Sequence, residues 1–444
     1  MNLKVTIIGL GYLGATTAVA FAKLGHHVIG IDSDLEKLES LKSGKLPFYE
    51  PGLDEALIEA LDSGNLSFQS GQTTSSGTSD IHLLCVGTPQ SRTSQGADTS
   101  FLFSAINDLA PFLKPESVVV GKSTVPVGTA AQLREHLENL VNFPVHLAWN
   151  PEFLREGTAL QDTLVPDRIV IGVDDPWSEE QLRKLYQPIT NLDIPLLKMD
   201  IPTAELVKVA ANSFLATKIS FINAMAEIAE ATGADAVRLA EAIGLDERIG
   251  SKFLRTGIGF GGGCLPKDIR AFSARAEELG VGKAVGFLRE VEEINLRRRS
   301  KVLEIAQEEL GSVIGKRVVI LGAAFKPETD DVRDSPAMAV AEQFWSAGAN
   351  VVVHDPKALE NVRRIYPQLE VEDELDFAIA GADLVVVATE WKMYRDADPV
   401  RFGDMVRRRL VIDGRNCLDA SSWIAADWQV VALGRNLSKS LVRA

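Results

Sequence analysis

The stretch that decides the fold is Lys4-Val-Thr-Ile-Ile-Gly9-Leu-Gly11-Tyr-Leu-Gly14, in which an apolar run leads directly into glycines spaced Gly-x-Gly-x-x-Gly. An alanine-rich stretch and a second apolar run, His27-Val-Ile-Gly-Ile-Asp32, follow it. In a strand–helix–strand unit the first glycine permits a tight turn, the second lets the backbone approach a pyrophosphate, and the third allows close helix packing. Free N–H groups at the helix start attract the phosphates. The segment therefore predicts a Rossmann-type unit that binds a dinucleotide.

The acid that ends the second run predicts which dinucleotide is bound. Asp32 stands where a carboxylate accepts hydrogen bonds from the adenosine ribose hydroxyls. Because a carboxylate would repel a 2′-phosphate, the sequence favours NAD over NADP.

Composition excludes several other classes of protein. The 444 residues predict two or three domains, and the net charge of −15 disfavours nucleic acid or an anionic membrane as a partner. Three cysteines are too few for a disulfide framework, and the six histidines lack metal-ligand spacing, so we expect a reducing compartment and no metal. The uncharged residues 5–22 resemble a signal peptide, but their glycines argue against one. We therefore expect a soluble cytoplasmic protein.

Residues 1–200 alternate short β-branched runs with helical patterns, which predicts a mostly parallel sheet covered on both faces. Ligands of such sheets bind at the carboxyl ends of the strands. The loops expected there carry hydroxyls or carboxylates: Val86-Gly-Thr-Pro89, Ser123-Thr-Val-Pro-Val-Gly128 and Asn150-Pro-Glu-Phe-Leu-Arg-Glu-Gly157.

The rest of the chain divides into a helical region and a second α/β domain. Residues 201–311 predict a long helix that starts at Pro202 and is stopped by Gly233, then further helices suited to a subunit interface. Residues 312–444 repeat the plan of strand, helix, strand and acid without the glycine triplet. We expect this domain to bind a nucleotide through lysine and arginine side chains on its loops. The alternative is a domain that only supports the first domain. The predicted fold class is thus α/β, with two Rossmann-like doubly wound domains joined by a long central helical region. We also expect the run Arg297-Arg-Arg299 to form a solvated helix face.

Two groups of residues suggest chemistry. Gly259-Phe-Gly-Gly-Gly-Cys264-Leu-Pro-Lys-Asp268 places a cysteine after glycines, with a lysine that favours the thiolate and an aspartate that could act as a base. The alternative is a turn before a helix, with the cysteine as a small buried hydrophobe. Lys208 and Asn212 lie one helical turn apart in apolar surroundings and could bind developing negative charge. The alternative is a lysine that snorkels to the surface.

These segments occur in one order along the chain, together with Glu205-Leu-Val-Lys-Val-Ala-Ala-Asn212 and Phe325-Lys-Pro-Glu-Thr-Asp-Asp-Val-Arg-Asp-Ser335. The chain thereby resembles the UDP-glucose/GDP-mannose dehydrogenase family over nearly its whole length. One departure is Gly263, where many members carry serine. The resemblance implies oxidation of the C6 alcohol of UDP-glucose to UDP-glucuronate with two NAD, through a thiohemiacetal and a thioester on Cys264. The alternatives are GDP-mannose or a UDP-N-acetylhexosamine as substrate, or a binding protein without turnover.

The resemblance also implies roles for individual residues. Lys208 and Asn212 would stabilise oxyanions, Asp268 would assist proton transfer, and Glu152 with Thr124 would position water. Arg248 would reach the substrate of a neighbouring subunit in a homodimer or higher oligomer. The cofactor-binding residues would be Gly9, Gly11, Tyr12, Leu13, Gly14, Asp32, Lys37, Thr88, Thr124, Glu156, Lys267 and Arg333. The nucleotide sugar would contact Glu152, Phe153, Leu154, Arg155, Lys208, Asn212, Arg248, Phe253, Leu254, Arg255, Thr256, Gly257, Gly261, Phe325, Lys326 and Arg415.

Overall fold

The computed structural model describes residues 2–91 and 94–437. The chain divides into two compact units. Among these residues, the first unit contains those up to Ala211 together with Arg270–Gly282, and the second contains Asn212–Ile269 and those from Lys283 to Leu437. Within the described residues, no helix is both long enough and apolar enough to cross a membrane.

The first unit is built on an eight-stranded sheet in the order β3-β2-β1-β4-β5-β6-β7-β8. Neighbouring strands are parallel except β6 and β7, which are antiparallel. The strands are β1 Lys4–Ile8, β2 His27–Ile31, β3 Leu66–Gln69, β4 Ile81–Leu84, β5 Val118–Gly121, β6 His146–Trp149, β7 Ile169–Val173 and β8 Leu196–Met199. Its helices are α1 Tyr12–Lys23, α2 Leu35–Lys42, α3 Leu53–Asp62, α4 Thr74–Gly77, α5 Ser100–Leu109, α6 Thr129–Leu140, α7 Ala159–Leu164 and α8 Pro176–Thr190.

Apolar side chains cover both faces of this sheet. Successive residues of a strand point to opposite faces, and Leu83 and Val120 accordingly pack in one apolar cluster while Leu84 and Val119 pack in another. A sheet buried on both faces explains why its strands are continuous apolar runs rather than alternating ones.

The middle of the chain is helical, as predicted. The helices are α9 Ile201–Thr232, α10 Ala236–Gly244, α11 Leu265–Glu278 and α12 Phe287–Leu310. The boundary between the two units falls within α9 and again within α11.

The second unit contains a six-stranded parallel sheet in the order β11-β10-β9-β12-β13-β14. Its strands are β9 Arg317–Leu321, β10 Asn350–His354, β11 Glu370–Val371, β12 Leu384–Val387, β13 Leu410–Asp413 and β14 Gln429–Ala432. Its helices after α12 are α13 Pro336–Ser346, α14 Leu359–Ile365, α15 Leu375–Ile379, α16 Lys392–Arg395, α17 Pro399–Met405 and α18 Ala420–Ala425. Both sheets thus contain the 3-2-1-4-5-6 order of a Rossmann fold, and the predicted fold class is confirmed.

The acid that ends the second strand of this sheet does not face a ligand. Asp355 is buried and accepts hydrogen bonds from the backbone N–H groups of Ala323 (2.7 Å) and Ala324 (3.1 Å), in the loop that follows β9. The side-chain N–H of Trp391 also donates to it, at 3.1 Å. In the first sheet the matching acid, Asp32, also accepts a backbone N–H of the loop after its first strand but lies at the wall of a cavity, whereas Asp355 is buried.

The prediction of a solvated arginine face on α12 is wrong. Arg298 is 1% exposed and forms a bidentate ion pair with Glu230 of α9. Arg299 is also buried and pairs with Asp334 at 3.1 Å. Only Arg297 is exposed, because consecutive residues of a helix point in directions about 100° apart, and two of the three therefore face the interior.

Candidate active site

A cavity of about 680 Å³ lies at the carboxyl ends of β1, β2 and β4 in the first unit. Gly9 has φ +90°, and a Cβ on it would lie 2.8 Å from the Val86 backbone. A Cβ at Gly14 would lie 1.8 Å from the carbonyl oxygen of Gly9, so only glycine permits this closeness of helix and strand. Gly11 borders the cavity and has open space where a side chain would be. The glycine loop therefore leaves backbone N–H groups open to a phosphate, and the cavity fits a dinucleotide.

Asp32 and Lys37 line the same cavity and are paired with each other. The Asp32 carboxylate accepts hydrogen bonds from Lys37 Nζ (2.9 Å), from the backbone N–H of Leu10 (2.7 Å) and from that of Asp34 (3.0 Å). Burial alone would raise the pKa of Asp32, but these donors outweigh it and the pKa lies below its usual value. The group is thus an anion at the rim of the cavity, which disfavours a 2′-phosphate.

A buried carboxylate that sequence reasoning missed joins the glycine loop to another predicted segment. Glu50 accepts hydrogen bonds from the Tyr12 hydroxyl and from the backbone N–H groups of Gly157 (2.6 Å) and Ala159 (2.7 Å). Burial is the main reason that the pKa of Tyr12 is strongly raised. Since Glu50 is far from these partners in sequence and belongs to no recognised motif, only the folded structure reveals the connection.

Lys208 and Glu152 form a buried ion pair in the first unit. Lys208 is 4% exposed, and its Nζ lies 2.8 Å from Glu152 Oε1. The other carboxylate oxygen of Glu152 accepts a hydrogen bond from the backbone N–H of Leu154 at 2.6 Å. The ring of Phe153 lies 5.7 Å from the ammonium. The alternative of a snorkelling lysine is therefore wrong.

The remaining predicted residues of the first unit lie on two neighbouring loops. The hydroxyl of Thr88 donates to the carbonyl of Thr124 at 2.7 Å, which ties the loop after β4 to the loop after β5. Arg155 is exposed and pairs with Asp162, and Glu156 is half-buried in the same segment.

In the second unit, Cys264 is exposed and stands immediately before α11. Its carbonyl accepts the hydrogen bond of the Asp268 backbone N–H at 2.9 Å, so Cys264 occupies the N-cap position. The partial positive charge of a helix N-terminus stabilises a thiolate. The expected turn before a helix is confirmed, but the cysteine is not the buried hydrophobe of the alternative interpretation.

Asp268 is buried beside two polar partners. One carboxylate oxygen accepts a hydrogen bond from the Asn212 side-chain amide at 2.7 Å, and the other lies 2.7 Å from Lys267 Nζ. A buried aspartate with one amide donor and one cation is held in a fixed orientation.

The glycines before Cys264 accommodate two large side chains. A Cβ at Gly262 would lie 2.9 Å from the Phe325 ring, and one at Gly263 would lie 2.5 Å from Arg333 Cζ. Arg333 also pairs with Asp331 at 2.7 Å. Glycine at position 263, in place of a serine, thus leaves room for the Arg333 guanidinium beside the backbone that precedes the cysteine.

A second cavity, of about 350 Å³, lies within the second unit. Arg415 at its wall donates to the carbonyl oxygens of Ala388 (2.7 Å), Gly259 (2.8 Å) and Phe325 (3.3 Å). Of the predicted substrate residues, this cavity brings together Leu254, Arg255, Thr256 and Arg415. It adds residues that sequence reasoning missed, namely Val237, Ala240, Glu241, Ser251, Arg395, Asn416 and Cys417.

The other predicted substrate residues of the second unit are not among the residues that line this cavity. Phe253 has φ +64°, which is rare for a large side chain and marks local strain. Gly257 donates to the Asn223 side chain at 2.9 Å, and a Cβ at Gly261 would lie 2.2 Å from the Asp334 carbonyl. Lys326 Nζ lies 5.7 Å from the Phe325 ring. Arg248 is highly exposed and pairs with Asp246 of the same loop.

Within the described residues, no cluster of three or more His, Cys, Asp or Glu side chains is arranged to hold a metal ion. A dinucleotide cradle and a cysteine at a helix start, carried by two Rossmann-type sheets, define a dinucleotide-dependent oxidoreductase.

The chain belongs to the UDP-glucose/GDP-mannose dehydrogenase family. Models of that family's NAD-binding, central and UDP-binding domains match residues 3–190, 202–297 and 319–420. The chain is 37% identical to UDP-glucose 6-dehydrogenase YwqF of Bacillus subtilis over 98% of both chains. It is 39% identical to UDP-glucose 6-dehydrogenase of Rhizobium meliloti, over 98% of this chain and 100% of the relative. A UDP-glucose dehydrogenase structure from Pyrobaculum islandicum has a TM-score of 0.90 at 36% identity, over 98% of both chains. The protein is an enzyme, and its cofactor is NAD.

Proposed function

We propose that the protein oxidises the C6 alcohol of UDP-glucose to the carboxylate of UDP-glucuronate and is thus a UDP-glucose 6-dehydrogenase. The observation that carries the proposal is the exposed Cys264 just before α11, with Lys267 and the buried Asp268 in the first turn of that helix. Membership of the family, and the names of the relatives with 36–39% identity, support UDP-glucose as the sugar nucleotide.

The reaction removes four electrons in two steps. The alcohol first loses a hydride and a proton to become an aldehyde, and the thiolate of Cys264 adds to the carbonyl carbon to form a thiohemiacetal. Loss of a second hydride and a second proton gives a thioester. Water then displaces the thiol and leaves the carboxylate. The covalent adduct keeps the carbon on the protein between the two oxidations, whereas a free aldehyde could escape.

NAD, when bound, supplies the hydride acceptor for each oxidation, so one substrate consumes two NAD. In this proposal the glycine loop from Gly9 to Gly14 holds the pyrophosphate and Asp32 the adenosine ribose. Thr88, Thr124, Glu156, Lys267 and Arg333 are proposed to complete the cofactor contacts. The open cradle at Gly11 and the anionic Asp32 support this assignment.

We assign the catalytic roles to groups that have partners within their own units. Lys208, with Asn212 on the same helix, stabilises negative charge on the substrate oxygen, and Asp268 receives and returns protons. Glu152 and Thr124 position the hydrolytic water. The pairing of Glu152 with Lys208 and that of Asp268 with Asn212 support these roles, because both pairs fix the side chains before substrate arrives.

The second cavity is proposed to receive the nucleotide part of the substrate. Its arginines, Arg255, Arg395 and Arg415, suit a diphosphate. The segments Glu152–Arg155 and Phe253–Gly257, with Gly261, Phe325 and Lys326, are proposed to contact the rest of the nucleotide sugar.

We further propose three functional regions, at 1–200, 201–311 and 312–444, and a homodimer formed through α9. Three large apolar side chains recur at heptad spacing on that helix and are exposed: Phe214 (66%), Phe221 (49%) and Ile228 (55%). A stripe of this kind is typical of a helix that packs against a second copy. Arg248, exposed on the loop after α10, would then act on the partner's substrate. The low cysteine content supports a cytoplasmic location.

The test is an NADH-release assay with a panel of nucleotide sugars. UDP-glucose should give two NADH per molecule consumed, with no free aldehyde. GDP-mannose and UDP-N-acetylhexosamines should react far more slowly, and a faster rate with any of them would reassign the substrate. Cys264→Ala should abolish turnover while NAD still binds, and Cys264→Ser should be severely slowed. Carboxylate formation by Cys264→Ala at the normal rate would overturn the thioester mechanism.

A further inference from the structure

Side chains of α12 contact the loop before Cys264, and the amide of Asn295 makes two of these contacts. Asn295 is buried, and its Oδ1 accepts the hydrogen bond of the Phe260 backbone N–H at 2.7 Å. Its Nδ2 donates to the carbonyl of the same residue at 2.9 Å. The backbone N–H and the backbone carbonyl of Phe260 are therefore both paired with the Asn295 side chain, as they would be paired with a neighbouring strand in a sheet.

The packing around this amide leaves no room for another arrangement. Gly259 has φ +92°, and a Cβ on it would lie 2.2 Å from Asn295 Oδ1. Arg299, one turn further along α12, donates to the Phe260 carbonyl at 2.9 Å, and Arg415 donates to the Gly259 carbonyl at 2.8 Å. Gly259 and Phe260 are thus bonded to side chains at three backbone groups. Gly261 to Gly263 have no side chains of their own, and the Gly262 N–H donates to the Arg333 carbonyl at 3.0 Å.

We propose that Asn295 is a positioning residue for Cys264: its amide anchors the glycine loop so that the thiol stands at the start of α11 in a reactive orientation. Without this anchor, the end of the glycine run that joins Phe260 can shift, because glycine permits many backbone conformations. The proposal rests on the role of Cys264 in the proposed function, but its first readout is independent of turnover.

The experiment measures alkylation of Cys264 by iodoacetamide, followed by mass spectrometry of the peptide that contains it, across a range of pH. The other two thiols are poor competitors, because burial raises the pKa of Cys85 to about 12 and also raises that of Cys417. The variants are Asn295→Leu, which removes both hydrogen bonds, and Asn295→Asp, which keeps the acceptor for the Phe260 N–H. Gln307→Leu makes the same amide-to-leucine change on the exposed face of α12 and serves as the control.

Asn295→Asp should lower both the alkylation rate and kcat by about 10-fold, and Asn295→Leu by about 100-fold, the loss typical of a reacting group displaced by an ångström. The KM for NAD should change less than kcat, since the glycine loop at Gly9 to Gly14 and Asp32 belong to the first unit. Gln307→Leu should match the unmodified protein in every measurement.

The deciding variant is Asn295→Asp, because it preserves the shape of the side chain if Asn295→Leu fails to fold. Normal alkylation and normal kcat in Asn295→Asp would overturn the proposal. A lower kcat with normal alkylation would also overturn it, by placing the effect of Asn295 elsewhere than on the thiol. Failure of the proposed function is distinguishable, since it would appear as turnover by Cys264→Ala while the alkylation differences remained.

Discussion

His82 should make the first unit markedly less stable in mild acid. It is fully buried in β4, the central strand between β1 and β5, and neither ring nitrogen has a hydrogen-bond partner among the described residues. Burial, with a smaller contribution from the charge of Lys4, lowers the pKa of His82 from 6.5 to about 3. Between these two values the unfolded chain binds a proton that the folded protein does not, so the free energy of unfolding rises with pH in this window.

The magnitude follows from the two pKa values. Lowering the pH from about 7.5 to about 5 should remove about 2 kcal/mol from the free energy of opening the sheet. The variant His82→Leu lacks this titration, so its opening free energy should lose about 2 kcal/mol less over the same interval. Other histidines titrate alike in both proteins and cancel in the comparison.

Hydrogen exchange by mass spectrometry measures this free energy locally, from the protection of peptides that contain β4, after correction for the intrinsic effect of pH on exchange. The control is His27→Leu, which replaces an exposed histidine of β2 in the same sheet. If the unmodified protein and His82→Leu lose protection equally between the two pH values, the reasoning about burial is refuted.

Three further results are expected. Asp32→Ala should raise the KM for NAD by about 10-fold, because a ribose acceptor is lost. In assays of NADH and NADPH release, the same variant should show a smaller preference for NAD over NADP. Equal use of both cofactors by the unmodified enzyme would contradict the role of Asp32 at the ribose. Mixed dimers of Arg248→Ala and Cys264→Ala subunits should recover part of the activity that each variant lacks, and verified mixed dimers without recovery would show that Arg248 serves its own subunit. Arg298→Met should destabilise the protein by about 3 kcal/mol in denaturant unfolding, because it leaves a carboxylate without its buried partner. Arg297→Met, at the exposed neighbouring position, should lower the free energy of unfolding only slightly. Equal losses of stability in the two variants would contradict the burial argument.

The parts of the fold that the sequence predicts are those set by local chemistry. The turn at Gly9, the strands on either side of α1 and the stop at Gly233 depend on residues close to one another in the chain, and the structure has each of them. The short edge strands β3, β8 and β11 are not predicted, because they are partly exposed and lack the continuous apolar run that marks a buried strand.

Sequence predicts only part of the candidate site, because local patterns reveal only interactions between residues close together in the chain. Cys264 stands out by its neighbours in sequence. The roles of Glu50 and Asn295, in contrast, arise from backbone groups that lie far away along the chain, and no local pattern encodes such partners. The buried Arg298 was mistaken for a surface residue because charge alone does not reveal the direction in which a helix turns it.

The burial of Asp355 bears on the order of events in the proposed catalytic cycle. Unlike Asp32, this carboxylate is buried, and the segment after β9 lacks the glycine triplet, so the second Rossmann-type sheet does not duplicate the cradle of the first. Among the described residues there is therefore one dinucleotide cradle of this kind, whereas the proposed oxidation of one substrate needs two hydride acceptors. In the proposed reaction the two NAD molecules visit the same cradle in succession, and the half-oxidised sugar stays on the protein while one leaves and the next arrives.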